Sequence, residues 1–175
     1  MLFRSDTLNV KRYRNPKRDG KWHWVLFDLD WAFYEDTNSV RRWLTPGGMG
    51  NMNRTDNSLF IACMKNDKFK DKFLTYLGKQ MATTYSEKSV LKKIEDFYNV
   101  IAPLLPDQFK RWDMTQSEYN AAMKKFTNYA KTRPYRMLQF LKDCEYLKLS
   151  KAQMQHYFGD AMKVVGVTYE KIGKP

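Results

Sequence analysis

Two aspartates, Asp28 and Asp30, follow directly on the strongly apolar segment 22–27. Side chains two positions apart on an extended chain point to the same side, about 7 Å apart, so these carboxylates face a common volume. Like charges that close repel each other, and a divalent cation relieves the repulsion because it takes both carboxylates as oxygen ligands. The spacing therefore makes Asp28 and Asp30 candidate metal ligands. On spacing alone, an acidic strand end that pairs with nearby Lys and Arg is the stronger interpretation.

Two further polar residues, Asp6 and Asn9, precede the first predicted strand, and a predicted hairpin then returns the chain to Asp28. Protein kinases use this order: a catalytic aspartate, an asparagine that holds metal, a strand pair and a metal-binding aspartate. In that chemistry the first aspartate orients the attacking hydroxyl and accepts its proton. The asparagine and the last aspartate fix Mg²⁺, which neutralises charge on the transferring phosphoryl group. The order therefore favours a common cation pocket for Asp6, Asn9 and Asp28.

The elements that must position these residues are two strands joined by a turn. Residues 9–14 predict the first strand, and residues 15–20 are dense in turn formers, with a proline that fixes φ and a glycine free to take a positive φ. Residues 22–27 form a short apolar run that is typical of a strand covered on both faces. A hairpin suits the proposed chemistry because it joins two loops at one end of a rigid ribbon.

The rest of the chain predicts a loop followed by helices. Residues 31–58 show no sustained hydrophobic period and are predicted to form a functional or mobile loop. From about Leu59 onward, apolar residues recur at spacings of three and four, which predicts a helical bundle. The fold class is therefore predicted to be α+β, mostly helical, with a β-hairpin before the bundle. The single partial domain divides into a catalytic loop, hairpin and metal motif (1–33), a loop (34–58) and the bundle (59–175).

Capping and breaking residues predict where individual helices begin and end. Ser86 and Ser150 are predicted N-caps, and Thr115 with Glu118 has the capping-box pattern. Pro134 is predicted to end one helix and start another, Gly159 to end the last short helix, and residues 164–169 to form a terminal strand. The predicted apolar helix faces consist of Phe69, Phe73, Tyr76, Leu77, Met81, Val90, Leu91, Ile94, Phe97, Tyr98, Ile101, Tyr119, Ala122, Met123, Phe126, Tyr129, Met137, Leu138, Leu141 and Cys144.

Composition limits the class of protein. The 31 lysines and arginines against 19 aspartates and glutamates give a net charge of +12, which attracts polyanions and acidic protein surfaces. Acids are interspersed along the chain, however, so a solvated basic surface is favoured over a dedicated anion-binding face. Cys63 and Cys144 are too few for a disulfide framework or a four-thiolate zinc site. No apolar run is long enough to span a bilayer, and the first residues show no export signal.

Other polar residues carry weaker signals. Arg111 and Arg133 are predicted either to pair within the bundle or to bind a substrate phosphate, with the structural role favoured. Asp56 and Asn57 are predicted to be surface residues of the loop rather than ligand contacts.

The segment 6–33 resembles the CotH kinase family, the spore-coat-H-type atypical protein kinases. The similar residues are Asn-Val-Lys-Arg-Tyr-Arg at 9–14 and Trp-His-Trp-Val-Leu-Phe-Asp-Leu-Asp-Trp-Ala-Phe at 22–33. A weaker similarity extends over most of the chain, including Lys110, Arg111 and Trp112. The resemblance implies the C-terminal lobe of a divergent protein-kinase-like fold. It also implies transfer of a phosphoryl group from ATP to protein hydroxyls with Mg²⁺ or another divalent cation.

By position, the resemblance implies that Asp28 binds the metal and that Asp6 and Asn9 are the catalytic pair. Asp30 belongs to the same motif, either as a second metal contact or as a structural acceptor. The implied partners are ATP and a spore-coat or secreted protein substrate, with no clear sign of nucleic acid and no membrane span. The implied location is the spore surface or the cell exterior.

No Gly-rich loop and no phosphate-holding lysine precede Asp6. The chain is therefore expected to lack the nucleotide-binding lobe and to be inactive alone. The alternative to a kinase portion is a basic, non-enzymatic binding module for a polyanion or an acidic protein partner.

Overall fold

The computed structural model describes residues 11–25, 37–45 and 57–173. Within these ranges the chain forms an antiparallel β-hairpin followed by helices, so the predicted α+β, mostly helical fold class is confirmed. The strands are β1 (Lys11–Arg14) and β2 (Trp22–Val25). The α-helices are α1 (Ser39–Leu44), α2 (Ser58–Met64), α3 (Asp67–Ala82), α4 (Glu87–Ile101), α5 (Leu105–Trp112), α6 (Gln116–Lys142) and α7 (Lys151–Val165), with 3₁₀ turns at Ala102–Leu104 and Tyr169–Lys171.

The core lies between α3, α7 and the C-terminal half of α6. Leu74, Leu138, Met154 and Phe158 are almost completely buried there. Helices α3 and α7 approach closely at Gly78, where a Cβ atom would lie 1.8 Å from the carbonyl oxygen of Tyr157. Glycine is therefore required at this crossing, since any side chain would push the two helices apart.

The predicted helix starts are confirmed. The Ser86 side chain accepts a hydrogen bond from the backbone N–H of Ser89 at the start of α4. Thr115 and Glu118 form a complete capping box before α6, and Ser150 forms a second one with Gln153 before α7. These side chains satisfy amide donors that have no partner within the helix, which is why the signals are legible in sequence.

The predicted helix break at Pro134 is wrong, because α6 runs through it from Gln116 to Lys142. Proline removes one backbone donor and crowds the preceding turn. The remaining turns of α6 compensate, since Met137, Leu138 and Leu141 are buried against the rest of the core. Burial of that stripe outweighs the local preference of one residue.

The predictions for the C-terminal region are wrong in two places. Gly159 lies inside α7, and the helix ends instead at Gly166, whose φ of 75° is left-handed. The strand predicted for residues 164–169 does not form. Val164 and Val165 complete the last turn of α7, and Tyr169 begins a 3₁₀ turn. Ala161 and Met162 continue the buried stripe of Met154 and Phe158 beyond Gly159, so packing carries the helix past it.

The loop predicted for residues 31–58 contains helix α1. Its Val40 and Leu44 are 1% and 2% exposed and belong to the main core. A helix of six residues spans less than two turns, so its period is too short to detect in sequence.

The apolar faces are only partly as predicted. On α3, Leu77 and Met81 are buried together with Leu74, whereas Tyr76 is 64% exposed. On α4 no residue is buried, although its sequence has a wide apolar face.

Candidate functional site

The predicted site residues Asp6, Asn9, Asp28 and Asp30 all lie outside the described residues. The structure does describe the hairpin between them and the helical segments that follow. The described supports of the site are the strand pairing, the turn, and two anchors that hold the chain beyond the second strand.

The hairpin has a defined register. Lys11 pairs with Val25 at one end and Arg14 pairs with Trp22 at the other, next to the turn. Because the strands are antiparallel, the chain enters β1 and leaves β2 at the same open end of the ribbon. The two segments that carry the predicted ligands thus begin from paired residues.

The turn at the closed end is held by its own hydrogen bonds. The Asn15 carbonyl oxygen accepts from the amides of Arg18 and Gly20, both at 3.1 Å. Gly20 has a φ of 65°, as the turn prediction requires. The Arg14 Nε donates to the Gly20 carbonyl oxygen at 2.6 Å and closes the turn against β1. The register is therefore fixed from the turn end as well as by the strands.

A carboxylate and an imidazole add to this turn. Asp19 accepts from the backbone N–H of Lys21 at 3.0 Å and lies 2.9 Å from the Nε2 of His23. The Lys21 amide, and next the His23 side chain, lower the pKa of Asp19 below its ordinary value. The His23 ring also stacks on Tyr13, with centroids 5.1 Å apart. Asp19 thus has partners within the turn, at the end of the hairpin opposite the predicted ligands.

The hairpin is strongly basic, and one of its aromatic side chains is open to solvent. Trp22 is 66% exposed, so the expectation of a strand covered on both faces is wrong at this position. Six basic residues stand against the single acid Asp19 in residues 11–25: Lys11, Arg12, Arg14, Lys17, Arg18 and Lys21. This charge raises the local concentration of anions around the ribbon.

Arg133 of α6 anchors the chain where it enters α1. Its guanidinium donates to the carbonyl oxygen of Thr37 at 2.8 Å and also to the Oγ of Ser39. The same guanidinium lies 5.4 Å from the ring centroids of both Tyr129 and Phe140. Of the two predicted roles for Arg133, the structure shows the structural one.

Asn57 anchors the other end of α1. Its Nδ2 donates to the carbonyl oxygens of Arg42, Trp43 and Thr45 at 2.9–3.0 Å. The first two carbonyls belong to the last turn of α1 and the third belongs to its C-cap residue, and such carbonyls lack partners within a helix. The prediction that Asn57 is a plain surface residue is therefore wrong. The signal in sequence was too weak, because its partners come from a helix that the periodicity did not reveal.

Among the described residues, no three His, Cys, Asp or Glu side chains are grouped so that they could hold a metal ion. Cys63 and Cys144 are both half-buried free thiols. None of the helices in the described ranges combines the length and apolar character needed to cross a membrane.

The described residues combine a basic strand pair with a mostly helical body, which is an α+β architecture. The model of the family described as CotH kinase protein matches residues 3–137, which is more than half of the chain and includes all four predicted site residues. The chain therefore belongs to the CotH kinase family, as the resemblance of its motif indicated. No curated protein and no solved structure matches it.

Proposed function

We propose that this protein takes part in the transfer of a phosphoryl group from ATP to a protein hydroxyl. In this proposal Asp6 accepts the proton of the attacking hydroxyl, and Asn9 and Asp28 hold a divalent cation such as Mg²⁺. Asp30 serves either as a second metal contact or as an acceptor that orients the others. The bound cation would neutralise charge on the phosphates. Membership of a kinase-like family supports the proposal.

The observation that carries the proposal is the pairing of Lys11 with Val25 at the open end of the hairpin. Asn9 precedes Lys11 by two residues, and Asp28 follows Val25 by three. Since one residue spans at most about 3.6 Å, chain length allows both side chains to reach one ion at that end. The turn residue Asp19 lies at the opposite end and is already engaged by Lys21 and His23.

Charge gives the proposal further support. The six basic residues of the hairpin would draw ATP toward the ribbon and offset the repulsion between its phosphates and the predicted carboxylates. The expected result is stronger nucleotide binding when the cation is present, because the cation and the carboxylates neutralise each other.

The test compares cation and nucleotide binding in three proteins: the full chain, Asp28→Asn and Asp160→Asn. Asp160 is exposed on α7, so Asp160→Asn makes the same change of charge away from the hairpin. Tryptophan fluorescence is followed during titration with Mg²⁺, with and without ATP. We expect the affinity for Mg²⁺-ATP to fall at least about tenfold in Asp28→Asn and to stay within about twofold in Asp160→Asn. Equal affinities in all three proteins would count against the proposal.

Binding is the primary readout because it reports on the cation and the nucleotide directly and needs no protein substrate. A parallel incubation with γ-labelled ATP and a generic protein substrate detects turnover. Label that is incorporated by the full chain but not by Asp28→Asn would extend the proposal from binding to transfer.

The second candidate function is a basic binding module, and the net charge of the hairpin favours it specifically. A module of this kind binds a polyanion such as heparin with an affinity that falls steeply as salt rises. Its affinity is unchanged in Asp28→Asn, whereas reversal of Lys17 and Arg18 to Glu weakens it. The two functions are thus distinguished by the substitution that weakens binding. Asp28→Asn weakens Mg²⁺-ATP binding in the first, whereas reversal of Lys17 and Arg18 weakens polyanion binding in the second.

We also propose a location at the spore surface or outside the cell, which rests on the family resemblance alone. Immunodetection in fractionated native cells and spores tests it. Recovery only from the cell interior would contradict it.

A further inference from the structure

Residues 87–129 form an extended arm, made of α4, the first 3₁₀ turn, α5 and the N-terminal half of α6. The structure describes every residue of this arm, and none of them is buried, although Ser86 and Ala130 on either side are. The arm contains many large apolar side chains, so it departs from the usual pattern in which such residues enter a core.

Some of these apolar side chains pack against one another between the helices of the arm. The Tyr98 ring of α4 lies 6.4 Å from that of Tyr119 on α6, and the Phe109 ring of α5 lies 5.7 Å from the same tyrosine. Helices α4 and α6 pack along each other. These contacts account for one side of α4 only.

A second side of α4, continued by the 3₁₀ turn as far as Leu104, is exposed in the part of the chain that the structure describes. Phe97 is 70% exposed, Val100 is 74%, Ile101 is 41% and Leu104 is 59%. Their spacing of three, four and seven residues places them on one helix face, which we call the outer face. Since α4 is apolar on both the α6 side and the outer face, its sequence is that of a helix between two layers.

The area of exposed apolar surface on the arm is large. Trp112 is 63% exposed and Met114 is 42% exposed, at the end of α5. With full areas of about 150–250 Å² for large apolar residues, the four residues of the outer face alone expose roughly 450 Å². Each partner in a stable complex buries about 800 Å², of which somewhat more than half is apolar. The outer face thus offers about the apolar area that one side of a stable dimer needs.

Charge indicates which partner fits. The arm carries seven Lys and Arg against six Asp and Glu, a net charge of +1, while the whole chain carries +12. A second copy of a nearly neutral arm meets little net repulsion, and a strongly acidic partner gains little from it.

We propose that two copies of this chain associate through the outer faces of their arms, related by a two-fold axis. In such an interface each outer-face residue is buried twice, once in each subunit. Leu104 and Phe97 lie at the two ends of the face, and an antiparallel arrangement of the two α4 helices places each against the other. The association requires neither nucleotide nor metal, so its failure and that of the proposed function are distinguishable.

The experiment is sedimentation of the full chain from about 1 to about 200 µM, compared with Phe97→Ser, Val100→Ser and Tyr76→Ser. Tyr76 is the matched control, because it is 64% exposed on α3, outside the arm. We expect concentration-dependent dimers whose dissociation constant rises at least about tenfold in Phe97→Ser and in Val100→Ser. Tyr76→Ser is expected to match the unsubstituted chain. Salt is expected to leave the dimer intact, since apolar burial drives it.

Three results would overturn the proposal. The first is a chain that stays monomeric over the whole concentration range, which would leave the outer face to a different partner. The second is a dimer that Tyr76→Ser weakens as much as Phe97→Ser does. The third is a dimer that dissociates as salt rises, because that behaviour indicates a charged interface. Circular dichroism of each variant shows that the fold is kept, which exposed positions favour.

Discussion

A single guanidinium, that of Arg133, connects α6 to the start of α1. It combines two hydrogen bonds, to the Thr37 carbonyl oxygen and the Ser39 hydroxyl, with contacts to two aromatic rings. A planar fork satisfies all of these at once, whereas a lysine ammonium does not. We therefore expect Arg133→Lys to lower the free energy of unfolding by about 1–3 kcal/mol, measured by urea denaturation.

Arg111→Lys is the matched control for this substitution. The Arg111 guanidinium lies 5.3 Å from the Trp112 ring centroid on the exposed side of α5. Loss of an exposed ring contact is expected to change stability by less than about 0.5 kcal/mol. If both substitutions had the same effect, the anchoring role of Arg133 would be wrong.

At the scale of elements, the crossing of α3 and α7 depends on one glycine. A Cβ atom at Gly78 would overlap the Tyr157 carbonyl oxygen, which belongs to the backbone and cannot rotate away. We expect Gly78→Ala to destabilise the chain by about 3 kcal/mol or more, because the two helices must separate. Thermal unfolding followed at 222 nm measures the loss.

Gly159→Ala is the contrasting substitution, on the partner helix. Its Cβ would lie 2.6 Å from the Nε2 of Gln155, the mobile end of a side chain that can move away. Alanine is the better helix former, so stability is expected to rise by about 0.5–1 kcal/mol. Equal destabilisation by both substitutions would contradict the close approach at Gly78.

The ion pair that joins α7 to the C-terminal 3₁₀ turn makes a contribution to stability that depends on pH. Lys151, in the first turn of α7, pairs with Glu170 of the C-terminal 3₁₀ turn, and this partner lowers the pKa of Glu170 from 4.5 to about 2. Because the folded state holds the charged form, the stabilisation is complete above the ordinary pKa and is lost as pH falls from about 4.5 to 2. Both side chains are more than half exposed, so the effect is small.

The measurement is the midpoint of thermal unfolding of Glu170→Gln between pH 7 and pH 2. We expect a small decrease at pH 7 that shrinks as pH falls toward 2, where the natural side chain becomes increasingly protonated. Glu145→Gln removes an exposed carboxylate elsewhere and is expected to show no such trend. A difference that persists unchanged at pH 2 would contradict the assignment to this ion pair.

The elements differ in how far their bounds can be predicted from the sequence. Caps are local, so Ser86, Thr115 and Ser150 could be identified from a few neighbouring residues. At Pro134 and Gly159 the interaction that decides the structure is burial against distant helices, which no local pattern contains. Helix α1 was missed for a related reason, since two core residues and two distant anchors stabilise it.

At the scale of the whole molecule, the candidate site and the arm each combine features that the sequence predicts with features that only the structure shows. The order of Asp6, Asn9, hairpin and Asp28 was available from sequence, and so was the family it indicated. The pairing of Lys11 with Val25 and the anchors at Arg133 and Asn57 needed three dimensions. The apolar spacing of α4 was correctly recognised, but spacing alone does not say whether a face meets the same chain or another one.

The distribution of buried residues predicts how the molecule opens. The residues of α3 and α7 share one core, whereas the arm at 87–129 has no buried side chain. Local opening free energy follows the number of buried apolar contacts, so arm amides are expected to exchange with solvent well before those of α3 and α7. Native-state hydrogen exchange at about 5 µM measures this difference.

The amides of α3 and α7 are expected to exchange only through global unfolding. Their opening free energies therefore fall in the Arg133→Lys variant by the full loss of stability. Arm amides, which exchange by local opening, are expected to be unaffected by that substitution except near Tyr129, whose ring Arg133 contacts. Arm protection equal to that of α7 at this concentration would show that the arm and the core unfold together.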